Sequence, residues 1–157
     1  MMSKLFLLLT GAFFIVASAH AAKDVQHPNR VTTKPEATEA KPFAEHHVVF
    51  HISTGDAFAQ KLILNNAQNL SKHYGTDKVE LEVVAYGPGL RLLFKENEQA
   101  KRIKSLASSG VTFSACGNTM KKMKRHDGDL ISVATPVPAG VARIVELQEA
   151  GWTYVRP

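Results

Sequence analysis

The chain has 157 residues, 45% of them apolar and 21% charged, which excludes a large multidomain enzyme, a fibre and a wholly disordered chain. Lys plus Arg is 19 against 14 for Asp plus Glu, and the formal charge of +5 favours anionic partners without bearing on the fold. The one cysteine, Cys116, cannot build an intramolecular disulfide, a zinc ribbon or a cysteine-held iron–sulfur cluster.

Chain order begins with a pattern that is not part of a fold. Lys4 supplies a positive charge, Leu5 to Val16 is a nearly unbroken apolar run, and Ala17-Ser18-Ala19-His20-Ala21 offers two small-x-small cleavage sites. These are the three parts of a secretory signal peptide over residues 1–21, cut after Ala21 or Ala19. The apolar run falls short of the roughly 20 residues a transmembrane helix needs. The expected location is periplasmic, with no stable membrane insertion after cleavage. Residues 22–45 carry Pro28, Pro35 and Pro42 among polar side chains and too little apolar surface to offset ordering entropy, as in a flexible tether. The folded domain is expected over residues 46–157.

Within that domain strands and helices alternate. His47 to Ile52 is a short apolar strand closed by Ser53-Thr54-Gly55-Asp56, and Ala59 through Leu70 then follows helical spacing up to Tyr74-Gly75. Val79 to Tyr86 is a second strand ended by Gly87-Pro88-Gly89. Leu90 to Phe94 and Glu98 to Ser108 read as one broken helix or two, and Val111 to Ala115 is a third strand. A short helix starts near Thr119, Leu130 to Val133 is a weak strand signal, and Pro138 opens a helix with Val141, Ile144 and Val145 on one face. Trp152 to Val155 is the last strand. The alternation predicts an α/β three-layer sandwich around a mostly parallel sheet of about five strands.

In such sheets ligands bind at the carboxyl ends of strands. Three unusual loops should meet there: His51 to Asp56, Tyr86 to Gly89, and Cys116 to Thr119. Cys116 stands where a strand hands over to a helix start, so the backbone N–H groups of Gly117, Asn118 and Thr119 can converge on its sulfur and favour the thiolate. Thr119 takes the place of the second cysteine of a Cys-x-x-Cys motif; its hydroxyl can donate to a thiolate or persulfide but cannot resolve one. The competing reading is a buried, inert thiol. Lys121, Lys122, Lys124, Arg125 and His126 form either an electropositive rim around the thiol or an ordinary solvated face. His51 could pair with the Cys116 thiolate, accept a proton, or be a hydrogen-bonded structural residue. Asn66, on the apolar face of the first helix, either holds a neighbouring loop or contacts a bound anion.

His46, His47 and His51 lack a completing carboxylate, so no metal site is expected. Gly87-Pro88-Gly89 lacks the third glycine of a dinucleotide loop, with Leu92 in its place, and Walker and Gly-x-Ser-x-Gly motifs are absent. No cofactor is expected, and nothing points to nucleic acid.

Val48-Val49-Phe50-His51, Asn65 to Leu70, Ala85-Tyr86-Gly87-Pro88-Gly89, Ala115-Cys116-Gly117-Asn118-Thr119-Met120 and the tail from Val137 through Gly151 together resemble the DsrE/DsrF-like family, in consistent order over residues 46–157. The signal peptide and tether suit its exported branch. The resemblance implies an α/β fold, a homo-oligomer and a sulfur-handling cysteine, Cys116, which in sulfur-relay members carries a persulfide. His51 and Asn66 match family motif positions. The implied partners are a small sulfur-containing anion or a sulfur donor or acceptor protein. The alternative function is a non-catalytic oligomeric module that binds a small anion or a partner protein at the same edge.

Overall fold

Val79–Ala85 is buried at every position but one, which requires a neighbouring strand on each side and a covering layer on each face. This strand, β2, is the centre of a five-stranded, all-parallel sheet in a computed structural model that describes residues 41–157. The strands are β1 (His46–Ile52), β2, β3 (Val111–Cys116), β4 (Ala134–Val137) and β5 (Thr153–Val155), in the order β4-β3-β2-β1-β5. The register aligns His51 with Val84, and Val84 with Ser114. The two edge strands are the shortest, and Pro136 on β4 lies where a missing N–H interrupts no second ladder.

Two helical layers sandwich the sheet. On one side, α1 (Ala57–Tyr74) and α2 (Ala100–Ser108) join a 3-10 segment, Gly87–Leu93, over the larger core. Phe50, Phe113, Ile63, Leu64, Leu90 and Ile103 are fully buried there. Asp56 caps α1 by accepting from the Ala59 N–H at 2.8 Å. The short α3 (Gly117–Lys122) drops Met120 into the same core. On the other side, α4 (Gly140–Glu149) packs Ile144 and Leu147 on Val49 and Val84, with Tyr86 and Trp152 at the margin.

Two sequence expectations change. Leu130 to Val133 is not a strand: Leu130 forms one antiparallel bridge to Phe94, the Ile131 N–H donates to the Leu93 carbonyl at 2.9 Å, and the fourth strand begins at Ala134. Leu130 and Ile131 are apolar because they plug the core under the 3-10 segment. On α4 the inward stripe is Gly140, Arg143, Ile144 and Leu147, while Val141 and Val145 are about half exposed. Contacts that Gly140 and Arg143 make, described below, turn the helix by that amount.

The signal peptide expected over residues 1–21, and the tether expected from residue 22, fall up to residue 40 outside the described residues. Residues 41–45, the last of the expected tether, are held to the domain. Lys41 donates to the carbonyls of Thr76 at 2.6 Å and Val79 at 3.0 Å, and Glu45 pairs with Lys78 at 2.9 Å.

Candidate functional site

The chain's path has a switch point at the carboxyl edge, between β3 and β4. From β3 it turns into α3 on the larger-core side; from β4 it turns into α4 on the opposite side. Such a switch point is the place where open α/β sheets bind ligands in a cleft between the strands. Cys116 is the last residue of β3 and the N-cap of α3, which puts it at this point.

The starts of both helices lie close to its side chain: Asn118 and Thr119 belong to the first turn of α3, and Gly140 opens α4. Burial raises the thiol pKa, the residue being only 5% exposed, but hydrogen bonding from the Thr119 side chain, and then from the backbone of Gly140, Thr119 and Asn118, favours the thiolate and holds the pKa below its ordinary value. Gly140 packs against Cys116 because it has no Cβ. A methyl there would lie 3.1 Å from the Cys116 Cβ and 3.3 Å from the Tyr86 Cβ and the Val84 Cγ1.

The three loops expected at one edge do pack side by side. The Gly87 N–H donates to the Thr119 hydroxyl oxygen at 3.0 Å, joining the second loop to the third. Gly89 sits so tightly on the end of β1 that an added Cβ would lie 2.6 Å from the Ile52 carbonyl carbon. Gly117 and Asn118 lie against β4: the Asn118 N–H also approaches the Pro138 carbonyl at 3.3 Å. Tyr86 stacks on His51, with centroids 4.5 Å apart and planes 14° from parallel.

Those contacts correct the role of His51. Its strand is two removed from β3, and Tyr86 stands between, so His51 and Cys116 do not form an ion pair. Instead His51 Nδ1 hydrogen-bonds the Tyr154 hydroxyl of β5 at 2.7 Å, and its buried Nε2 has no hydrogen-bond partner among the described residues. Burial first, and the nearby Arg156 charge second, hold the imidazole below its usual pKa. His46 stacks on Tyr74 and His47 faces Glu80 at 3.5 Å, so the three histidines diverge. Among the described residues no three His, Cys, Asp or Glu side chains cluster as a metal site would require.

Asn66 is also not brought to the cleft. It lies on α1, on the larger-core side, about 14 Å along the helix from its start. Its neighbours Asn65 and Gln68 accept from Arg102 of α2 at 2.7 and 3.0 Å, so this polar segment joins two helices. Of the basic cluster, Arg125 is engaged by Glu96, Asp129 and the Phe94 ring.

Three participants were not visible from sequence. Gly140 is one. The others are Glu82 and Arg143, a bidentate pair under α4: Arg143 Nε and a terminal nitrogen donate to the two Glu82 oxygens at 2.9 and 2.7 Å, and Ser114 donates at 2.6 Å. Glu82, an acid within the buried run Leu81 to Ala85, was the available signal, because a buried carboxylate demands a partner.

Comparison with known proteins bears on the fold and the family. A solved structure of a protein of unknown function from Methanobacterium thermoautotrophicum is 35% identical, covers 72% of this chain and 100% of its own, and superposes with a TM-score of 0.69. A conserved protein of unknown function from Bacteroides thetaiotaomicron, 16% identical over 71% of this chain and 94% of its own, shares the fold with a TM-score of 0.58. No curated protein matches the chain. The DsrE/DsrF-like family matches residues 47–157, from the first strand to the last residue, and the chain belongs to that family.

Proposed function

We propose that this protein is an exported, periplasmic sulfur carrier that holds sulfane sulfur as a persulfide on Cys116. The observation that carries the reading is a cysteine at the end of β3 and the N-cap of α3, with Gly140 of α4 packed against it and hydrogen bonding that outweighs burial in holding its pKa below the ordinary value. A thiolate held this way is a nucleophile near neutral pH. It attacks the outer sulfur of thiosulfate: a Cys116 S–S bond forms, the donor's S–S bond breaks, and sulfite leaves with the electron pair. A polysulfide reacts alike and loses a shorter polysulfide. The product persulfide is again an anion and is stabilised by the same donors. The reverse attack, by an acceptor thiolate on the outer sulfur, empties the carrier. The domain acts as a homo-oligomer in this reading, and the half-exposed Val141 and Val145 beside the cleft offer apolar surface for it.

Intact mass of the processed protein, before and after polysulfide or thiosulfate, tests the proposal alongside Cys116→Ser. The expected result is a gain of one or more sulfur atoms that needs Cys116 and reverses with a reductant. A folded Cys116→Ser protein that gains the same mass overturns it. The low exposure of Cys116 favours a second reading, a non-catalytic module binding a small anion or partner at this edge. That reading predicts no sulfur gain and a thiol that alkylates only on unfolding.

A further inference from the structure

The Glu82–Arg143 pair is the most deeply buried charge cluster among the described residues, and nothing in the sulfur chemistry uses it directly. Glu82 is 2% exposed on the central strand. Its oxygens face Arg143 from α4 and Ser114 from β3; Glu146 on the same helix lies 3.9 Å from Arg143, and Glu80 adds its charge from β2. Leaving a carboxylate in a central strand is costly unless it is paired and hydrogen-bonded, and pairing alone seldom adds net stability. What such a pair does supply is a fixed geometry.

That geometry bears on Cys116. Arg143 closes the first turn of α4, its N–H donating to the Ala139 carbonyl at 3.0 Å. The same turn begins with Gly140, where an added Cβ would lie 3.1 Å from the Cys116 Cβ. One end of a single helical turn is therefore bolted to β2 and the other packs on Cys116. We propose that Glu82 and Arg143 are positioning residues for Cys116, seating the first turn of α4 against the thiol. The inference rests on the thiolate that the carrier reading uses. It goes further in assigning the sulfur's environment to a side-chain pair far from it in sequence. Arg suits the task and Lys does not, because only the planar fork fixes direction as well as distance.

The test is the pH profile of Cys116 alkylation by iodoacetamide in the folded, full-length mature protein, for wild type, Glu82→Gln, Arg143→Gln, Arg143→Lys and Gly140→Ala. A cooperative thermal transition at pH 7 establishes folding. Positioning predicts that Glu82→Gln and Arg143→Gln both raise the midpoint by about half to one pH unit, in the same direction as Gly140→Ala. Arg143→Lys should recover only part of the difference. A purely through-space effect gives opposite signs, because Glu82→Gln removes a negative charge and would lower the midpoint; that result overturns the proposal. A wild-type midpoint in folded Arg143→Lys overturns it as well, and this variant decides the matter if the two Gln variants do not fold. The proposal fails alone if wild type shows a depressed midpoint that no variant moves. An ordinary midpoint in wild type, with no sulfur gain, sinks the carrier reading instead.

Discussion

Replacing Thr119 with Val keeps the shape of the side chain and removes one hydroxyl that serves two neighbours. The hydroxyl oxygen accepts from the Gly87 N–H at 3.0 Å, and against burial, which raises the Cys116 pKa, hydrogen bonding from the Thr119 side chain lowers it. A hydrogen bond to a charged group contributes about 1.5–3 kcal/mol, and 1.36 kcal/mol corresponds to about one pKa unit, so the thiol should titrate about one to two units higher in the variant. Stability supplies a second readout with a definite sign. A thiol whose folded pKa is depressed contributes stability that is fully present above its unfolded value, about 8.5, and is lost as pH falls through the folded value. The variant's thiolate-dependent destabilisation should therefore be largest above about pH 8.5 and fade on acidification. What remains at acid pH is the cost of the unpartnered Gly87 N–H, about 1–3 kcal/mol. Alkylation rate against pH measures the first quantity, and urea unfolding at several pH values the second. Thr119→Ser, which keeps the hydroxyl, should stay close to wild type. If Thr119→Val alkylates with the wild-type midpoint, the hydroxyl is not among the groups that hold the thiolate.

Two further expectations concern the rest of the carboxyl edge. Gly89→Ala should lose about 1–3 kcal/mol in urea unfolding, because the new Cβ would fall 2.6 Å from the Ile52 carbonyl carbon and 2.9 Å from the Ser53 nitrogen; wild-type stability would show that this backbone approach is not as tight as described. His51 should titrate below about 6.5 by NMR, since burial and then Arg156 oppose its charged form. Its depressed pKa means stability that is present above the unfolded value and lost as pH drops through the folded one; a midpoint at or above the ordinary value would contradict that environment.

The strands and helices were legible where periodicity and punctuation coincided. Asp56 ahead of an apolar-periodic run, and Gly75 after it, mark α1 to within two residues. Cys116 was legible as a strand-to-helix junction because Gly117-Asn118-Thr119 directly follows a strand. What escaped was everything that depends on the second face of the sheet. The inward stripe of α4 could not be read from its own residues, since Val141 and Val145 are more apolar than the Gly140 and Arg143 that face the sheet. Their orientation is set by Cys116 and Glu82, which local patterning does not connect to α4. His51 misled for a related reason: loop order places it at the right edge, but only strand order shows Tyr86 and a whole strand between it and the thiol. Asn66 was assigned by helical face alone, and the sheet lies between α1 and the cleft.

Against burial, which raises it, the Cys116 pKa is lowered by hydrogen bonding and not by a neighbouring charge, and this has a chemical consequence. A neighbouring ammonium would lower the thiol pKa in a way that salt screens, whereas backbone N–H groups and a hydroxyl in a buried setting are screened little. In the proposed carrier cycle the same groups would serve the persulfide, because α3, α4 and the Gly87–Thr119 hydrogen bond hold them in place. The alkylation midpoint should therefore move little between low and high ionic strength. A midpoint that climbs steeply with salt would return the lysines at 121, 122 and 124 to the centre of the argument.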